Sequence, residues 1–164
     1  MTSCEREVER SWLIKRAIES ETTPRSADCA FASFAWVSKP PRDTDQTFVG
    51  APAAINLATY SVKLYTNGGT TATNTLQLPN KNLAPDDVYV IANSQAVAAI
   101  LSVDDTTSSV TNFNGDDAVV LFKNTDTLDI IGDVGVDPGA SWVVGTGTTV
   151  DYTLVRKATV NKGQ

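Results

Sequence analysis

A chain of 164 residues with 41% hydrophobic content is long enough to enclose one core, because a domain near this size buries roughly 70% of the surface its unfolded form exposes. Its net charge of −6 argues against bare duplex DNA as a ligand, since binding to phosphates rests on clustered Lys and Arg. The lack of any histidine removes the commonest general base and the commonest zinc ligand, which excludes triad-type hydrolysis and His-based metal sites within the chain.

The chain has two unlike parts. Residues 1–46 hold every glutamate (Glu5, Glu7, Glu9, Glu19, Glu21) together with Arg6, Arg10, Lys15, Arg16, Arg25, Lys39 and Arg42. From Thr47 onward glutamate disappears and Thr, Asn, Val, Gly and Asp dominate, the usage of strands joined by tight turns. This divides the chain into an atypical segment, 1–46, and a domain, 47–164.

Within the first part, residues 5–20 carry a thin apolar stripe (Val8, Trp12, Ile18), with acids early and Lys15 and Arg16 later, and are expected to form a helix. Pro24, Pro40 and Pro41 interrupt the remainder of this part, leaving Ala30 to Val37 as either one strand or a second apolar segment. The glutamates break any run resembling a secretion signal. Cys4 and Cys29 are too few to set a redox compartment.

In the second part, Tyr60, Val62 and Leu64 alternate with Ser61, Lys63 and Tyr65, and Asn67-Gly68-Gly69 turns the chain toward Thr75 to Leu78, predicting a hairpin. Asp87 to Ala92 reads as a central strand entered through Ala84-Pro85-Asp86. Ser94 is placed to cap a short helix over Gln95 to Leu101. Asn124-Thr125-Asp126 joins Ala118–Lys123 to Thr127–Ile131 in a second hairpin. Asp137-Pro138-Gly139 is a turn, Ser141 to Val144 an edge segment, and Tyr152 to Lys157 a last strand. The regular spacing predicts an all-β antiparallel sandwich, with Val62, Leu64, Leu76, Val88, Val90, Val119, Leu121, Ile130 and Leu154 turned inward. The longest apolar runs, Ala96 to Leu101 and Ala118 to Phe122, fall far short of the ~20 residues of a membrane span, so the chain is expected to be soluble.

Candidate chemistry is confined to acidic pairs. Asp104, Asp105, Asp116 and Asp117, with Asp86-Asp87, are the oxygen donors a Ca²⁺ ion would want, but short Asp side chains also hold turns by bonding nearby backbone N–H groups. None follows the twelve-residue calcium loop, and no cofactor is otherwise implied. Trp142, between Gly139 and Gly145, is either an exposed aromatic platform for a sugar or base, or a ring that closes one end of the sandwich. Adjacent Arg156 and Lys157 point to opposite faces of a strand and make no common basic patch. No nucleophile, base and orienting group occur together, so no catalytic residue is assigned and the chain is expected not to be an enzyme.

The ordered set Ile55-Asn56-Leu57-Ala58-Thr59-Tyr60-Ser61-Val62-Lys63-Leu64, Val88-Tyr89-Val90-Ile91-Ala92-Asn93, Phe113-Asn114-Gly115-Asp116-Asp117-Ala118, Asp129-Ile130-Ile131-Gly132, Val136-Asp137-Pro138-Gly139, Trp142 and Asp151 to Lys157 resembles the lamin tail domain in its bacterial form. The resemblance covers residues 54–157 and implies an immunoglobulin-like sandwich. It further implies an extracellular or cell-surface binding or targeting module attached to a secreted nuclease or phosphatase, serving a protein, cell-surface or nucleic-acid partner. The chain departs from the family at Tyr152, where a histidine is common, and at Gln46 to Gly50, where an opening strand is usual. Residues 1–46 are therefore expected to stand apart from the sandwich as an irregular or partly helical extension, with Phe31 to Val37 supplying substitute cover for the uncovered edge. The contrasting reading is a calcium-dependent carbohydrate-binding sandwich using Trp142 and the acidic turns.

Overall fold

A computed structural model describes residues 5–7, 34–37, 54–84, 87–150 and 153–155. In chain order its strands are β1 (Glu5–Glu7), β2 (Phe34–Val37), β3 (Ile55–Asn56), β4 (Tyr60–Tyr65), β5 (Asn74–Gln77), β6 (Asn82–Leu83), β7 (Val88–Ala92), β8 (Thr106–Thr107), β9 (Ala118–Lys123), β10 (Asp126–Ile131), β11 (Val143–Val144), β12 (Gly147–Thr148) and β13 (Thr153–Val155). One helical turn, α1 (Ala98–Leu101), links β7 to β8.

The chain is mostly β and forms two facing layers. A four-stranded antiparallel sheet runs β10-β9-β4-β5, and a three-stranded sheet runs β2-β7-β8. β2 is antiparallel to β7, with Phe34 opposite Ile91, whereas β8 is parallel to it. The extended segment expected within Phe31 to Val37 is thus found at Phe34–Val37, on an edge of β7. β1 pairs in parallel with β13, so strand replaces the start of the helix expected over residues 5–20. Residues 8–20, both cysteines, the boundary at Gln46, Asp86, Tyr152, and Arg156 and Lys157 lie outside the described residues.

The larger sheet is organised by cross-strand rows. Leu76, Val62, Leu121 and Asp129 stand side by side on its inner face, as do Asn74, Leu64, Val119 and Ile131 in the next inner row. Val62, Leu64 and Val119 are buried there against Tyr89 and Ile91 of β7 and Val110 of the β8–β9 connection. Each such side chain contributes about 1.5–3 kcal/mol of transfer free energy, and direct pairing across the pleat fixes their register. β9 is buried on both faces: Val120 and Ala118 pack outward with Tyr65, Phe122 and Ile130. Over that outer face Lys63 Nζ lies 4.5 Å from the centre of the Phe122 ring, a cation–π contact that keeps the charge in solvent.

Three expectations are corrected. On β7 the inward residues are Tyr89 and Ile91 while Val88 and Val90 are only half-buried, so the strand sits in the opposite phase; apolar residues at every position leave its phase to the packing. A bulge between Thr127 and Asp129 turns Ile130 to the outer face and Ile131 to the inner one, as one extra residue in a strand must. Ser94 does not cap α1: its N-cap is Val97, without a side-chain bond, and Asn93 instead accepts the Gln95 N–H at 2.9 Å, an Asx turn. Leu154, on β13, is half-buried.

Candidate functional site

At one end of the larger sheet, where β4 leaves and β9 enters, three loops meet. Asn67 and Gly68 both take the left-handed conformation (φ 50° and 69°), which asparagine and glycine tolerate best, and the turn they make points the Asn67 N–H inward. It donates to Asp117 Oδ1 at 3.1 Å. The Asn114 N–H donates to Asp117 Oδ2 at 3.4 Å. A single carboxylate, 5% exposed, therefore holds the β4–β5 connection and its own loop together.

Burial pushes the Asp117 carboxyl above its ordinary value, and Asp116 beside it adds to the rise, while the two backbone N–H groups oppose it. Desolvation outweighs the hydrogen bonds. Asp116 Oδ1 is shut off from solvent without a hydrogen-bond partner among the described residues.

The third loop is fastened through Trp142. Its indole N–H donates to the Asp117 carbonyl at 3.0 Å, and its backbone N–H reaches Thr149 Oγ1 at 3.0 Å and the Gly115 carbonyl at 3.2 Å. Thr149 returns its N–H to the Trp142 carbonyl at 3.1 Å and its hydroxyl to the Gly115 carbonyl. Two glycines make room. A Cβ on Gly132 (φ +71°) would sit 2.6 Å from Trp142 Nε1, and one on Gly68 would sit 2.8 Å from the Asp137 N. The half-buried indole lies at this end of the sandwich with its ring N–H engaged.

The outer surface of the same loops carries Val134, Val136 and Val143, the last 80% exposed, flanked by Asp133 and Asp137. No Lys or Arg occurs between Asn124 and Val150. These loops thus combine exposed aliphatic side chains with acids above a hydrogen-bonded base.

The other aspartate pair lies elsewhere. Asp105 accepts the Val90 N–H at 3.0 Å and donates its own N–H to the Val90 carbonyl at 2.9 Å, extending the β7 edge. Its second oxygen meets Lys81 Nζ at 2.6 Å. That hydrogen bond and the charge beside it raise the lysine above its ordinary value. Asp104 is half-buried next to it. Asp117 and Asp105 thus serve two separate backbone attachments, with Asp116 and Asp104 next to them in sequence, and no group of three acidic, Cys or His side chains among the described residues is arranged to hold a metal.

Sequence reasoning singled out Asp116, Asp117 and Trp142 as candidate site residues, read Asn67 only as a turn and Gly132 only as part of a motif, and gave Thr149 no role. Gly132 was readable only as a glycine ending a strand; its role comes from the indole that fills the missing Cβ. No helix among the described residues is long and apolar enough to cross a membrane. No protein-family model, curated protein or solved structure matches this chain.

Proposed function

We propose that this domain is a non-catalytic binding or targeting module of the lamin-tail type, with an immunoglobulin-like sandwich, working outside the cell as the appendage of a secreted bacterial hydrolase such as a nuclease. The observation that carries the reading is the use of the Asn-Gly-Asp-Asp segment: its buried carboxylate fastens loops to one another and the aliphatic side chains above them face outward. Rigid loops on a sandwich end are the usual place for recognition. The lack of Lys and Arg from Asn124 to Val150 disfavours a nucleic-acid phosphate backbone, and the exposed valines favour a protein partner with apolar and basic groups.

Two experiments test this. Purified chain incubated with nuclease and phosphodiester substrates is expected to give no turnover, whereas activity that survives purification and disappears in Asp116→Ala overturns the reading. Binding to a panel of lysine-containing amphipathic peptides, single-stranded DNA and glycans is expected for the peptides alone and is lost in Val136→Asp with Val143→Asp; retention of DNA or glycans contradicts it. The carbohydrate alternative requires calcium. Added Ca²⁺ is expected to leave the melting temperature unchanged, while a folded-state site saturated at a hundred times its Kd would add about 2.7 kcal/mol of stability.

A further inference from the structure

The chain contains two Asn-Gly pairs, Asn67-Gly68 and Asn114-Gly115, both in the loop end and both bonded to Asp117. In such a pair the glycine nitrogen can attack the asparagine side-chain amide, because no Cβ obstructs the approach. We propose that Asn67 is a site of spontaneous deamidation, chemically favoured over Asn114 by the way the two loops are held. Gly68 N attacks Asn67 Cγ; the new C–N bond forms as the Cγ–Nδ2 bond breaks, and ammonia leaves with the proton from the Gly68 amide. Water then opens the cyclic imide at either carbonyl, giving aspartate or isoaspartate at position 67.

The Gly68 N–H has no hydrogen-bond acceptor among the described residues, so no bond must break to free the attacking nitrogen. The Gly115 N–H is equally without an acceptor among the described residues, and the difference lies in what its peptide holds. Both asparagines are exposed and Gly68 is packed against Asp137 much as Gly115 is against Val150, so the hydrogen bonds decide: opening the Asn67 turn gives up the Asn67 bond to Asp117 and the 2.9 Å bond from the Gly69 N–H to the Thr66 carbonyl. Gly115 is buried against Val150 and its carbonyl accepts both the Trp142 N–H and the Thr149 hydroxyl. Moving the Asn114-Gly115 peptide into an attacking geometry therefore dismantles the Trp142 anchor as well.

The product acts on the same end. A carboxylate at position 67 stands beside a carboxylate already buried, and the extra backbone atom of isoaspartate removes the turn that aims the N–H at Asp117. The modification is thus a slow, age-dependent loss of loop order.

The test uses the full chain, incubated folded in mildly alkaline buffer and, in parallel, in denaturant. Trypsin, cutting after Lys63, Lys81 and Lys123, places the two pairs in separate peptides, 64–81 and 82–123. Fragmentation spectra then locate the mass increase of about one dalton that deamidation brings. In the folded chain Asn67 is expected to convert roughly tenfold faster than Asn114, the ratio that one or two additional hydrogen bonds in the opening step produce; in denaturant the two rates converge. Equal or faster conversion of Asn114 in the folded chain, or no conversion of Asn67 while the denatured chain converts both, overturns the proposal.

Discussion

Asp117 and Asp105 both accept backbone N–H groups, Asp117 from Asn67 and Asn114 and Asp105 from Val90. Their surroundings differ. Asp117 is closed away with no cation beside it among the described residues and a second acid next in sequence, whereas Asp105 shares its charge with Lys81, whose side chain is 50% exposed. The same residue type therefore does unequal work. At Asp117 removing the acceptor strands two part-buried backbone donors, while at Asp105 water and the exposed lysine remain to compensate.

Removing the buried acceptor is the most direct way to break this contrast. Asp117→Ala leaves two backbone donors without a partner and is expected to destabilise the domain by about 2–3 kcal/mol, read as a lowered denaturant midpoint. A loss too small to separate from Lys81→Ala would mean that the two aspartates are equivalent.

Glycine substitutions sharpen the contrast at the Trp142 anchor. Gly132 and Gly139 both have positive φ (71° and 86°), but only Gly132 has the Trp142 ring where a Cβ would go, and Gly139 faces open space. Gly139→Ala should cost about 1 kcal/mol from backbone strain alone, and Gly132→Ala about 1–3 kcal/mol more from overpacking. Equal costs in thermal unfolding would show that the indole is not fixed at this place.

How much of this was legible in the sequence depends on the range of the contacts involved. The β9–β10 hairpin was readable because Asn124, at φ 54°, is a turn residue within the segment it turns. That Val62, Leu64, Leu76, Val119 and Leu121 turn inward was readable from alternation, whereas the pairing of β4 with β9 that sets them in rows was not. β7 was not, because Val-Tyr-Val-Ile-Ala is apolar at every position and Tyr89 wins the interior by packing, with Lys81 Nζ 5.4 Å from its ring. The loop-end fastening was beyond local reading, since Asp117 meets partners 50 residues upstream and 25 downstream. The acids drew notice as potential metal ligands, and the donors that engage Asp117 are backbone N–H groups that no side-chain pattern reveals.

A smaller effect lies in the pH dependence. The Asp117 carboxyl is raised in the folded state above its ordinary value of 3.8, so the native state binds that proton more tightly than the unfolded chain. Its contribution to stability is fully present below 3.8 and is lost as pH rises through the folded value. Relative to Asp117→Asn, the native sequence should therefore gain stability on acidification through this range. Chemical denaturation of both forms across the acid range checks the sign, and a difference running the other way would show that the hydrogen bonds outweigh burial.

Lys81→Ala should be the mildest change, a small loss that fades at high salt, as exposed ion pairs do. Asp105 keeps its Val90 contact in that variant, so the β7 edge should stay paired.

If the Asp117 carboxylate holds the 114–117 loop in place and the backbone carbonyls of that loop in turn hold Trp142, native-state hydrogen exchange of Asp117→Ala will show the coupling. The Asn67 amide and the Trp142 indole N–H are expected to lose protection together while the amides of β4 and β9 keep theirs. Protection retained at Trp142 when Asn67 is freed, or lost throughout β4 and β9, would contradict it.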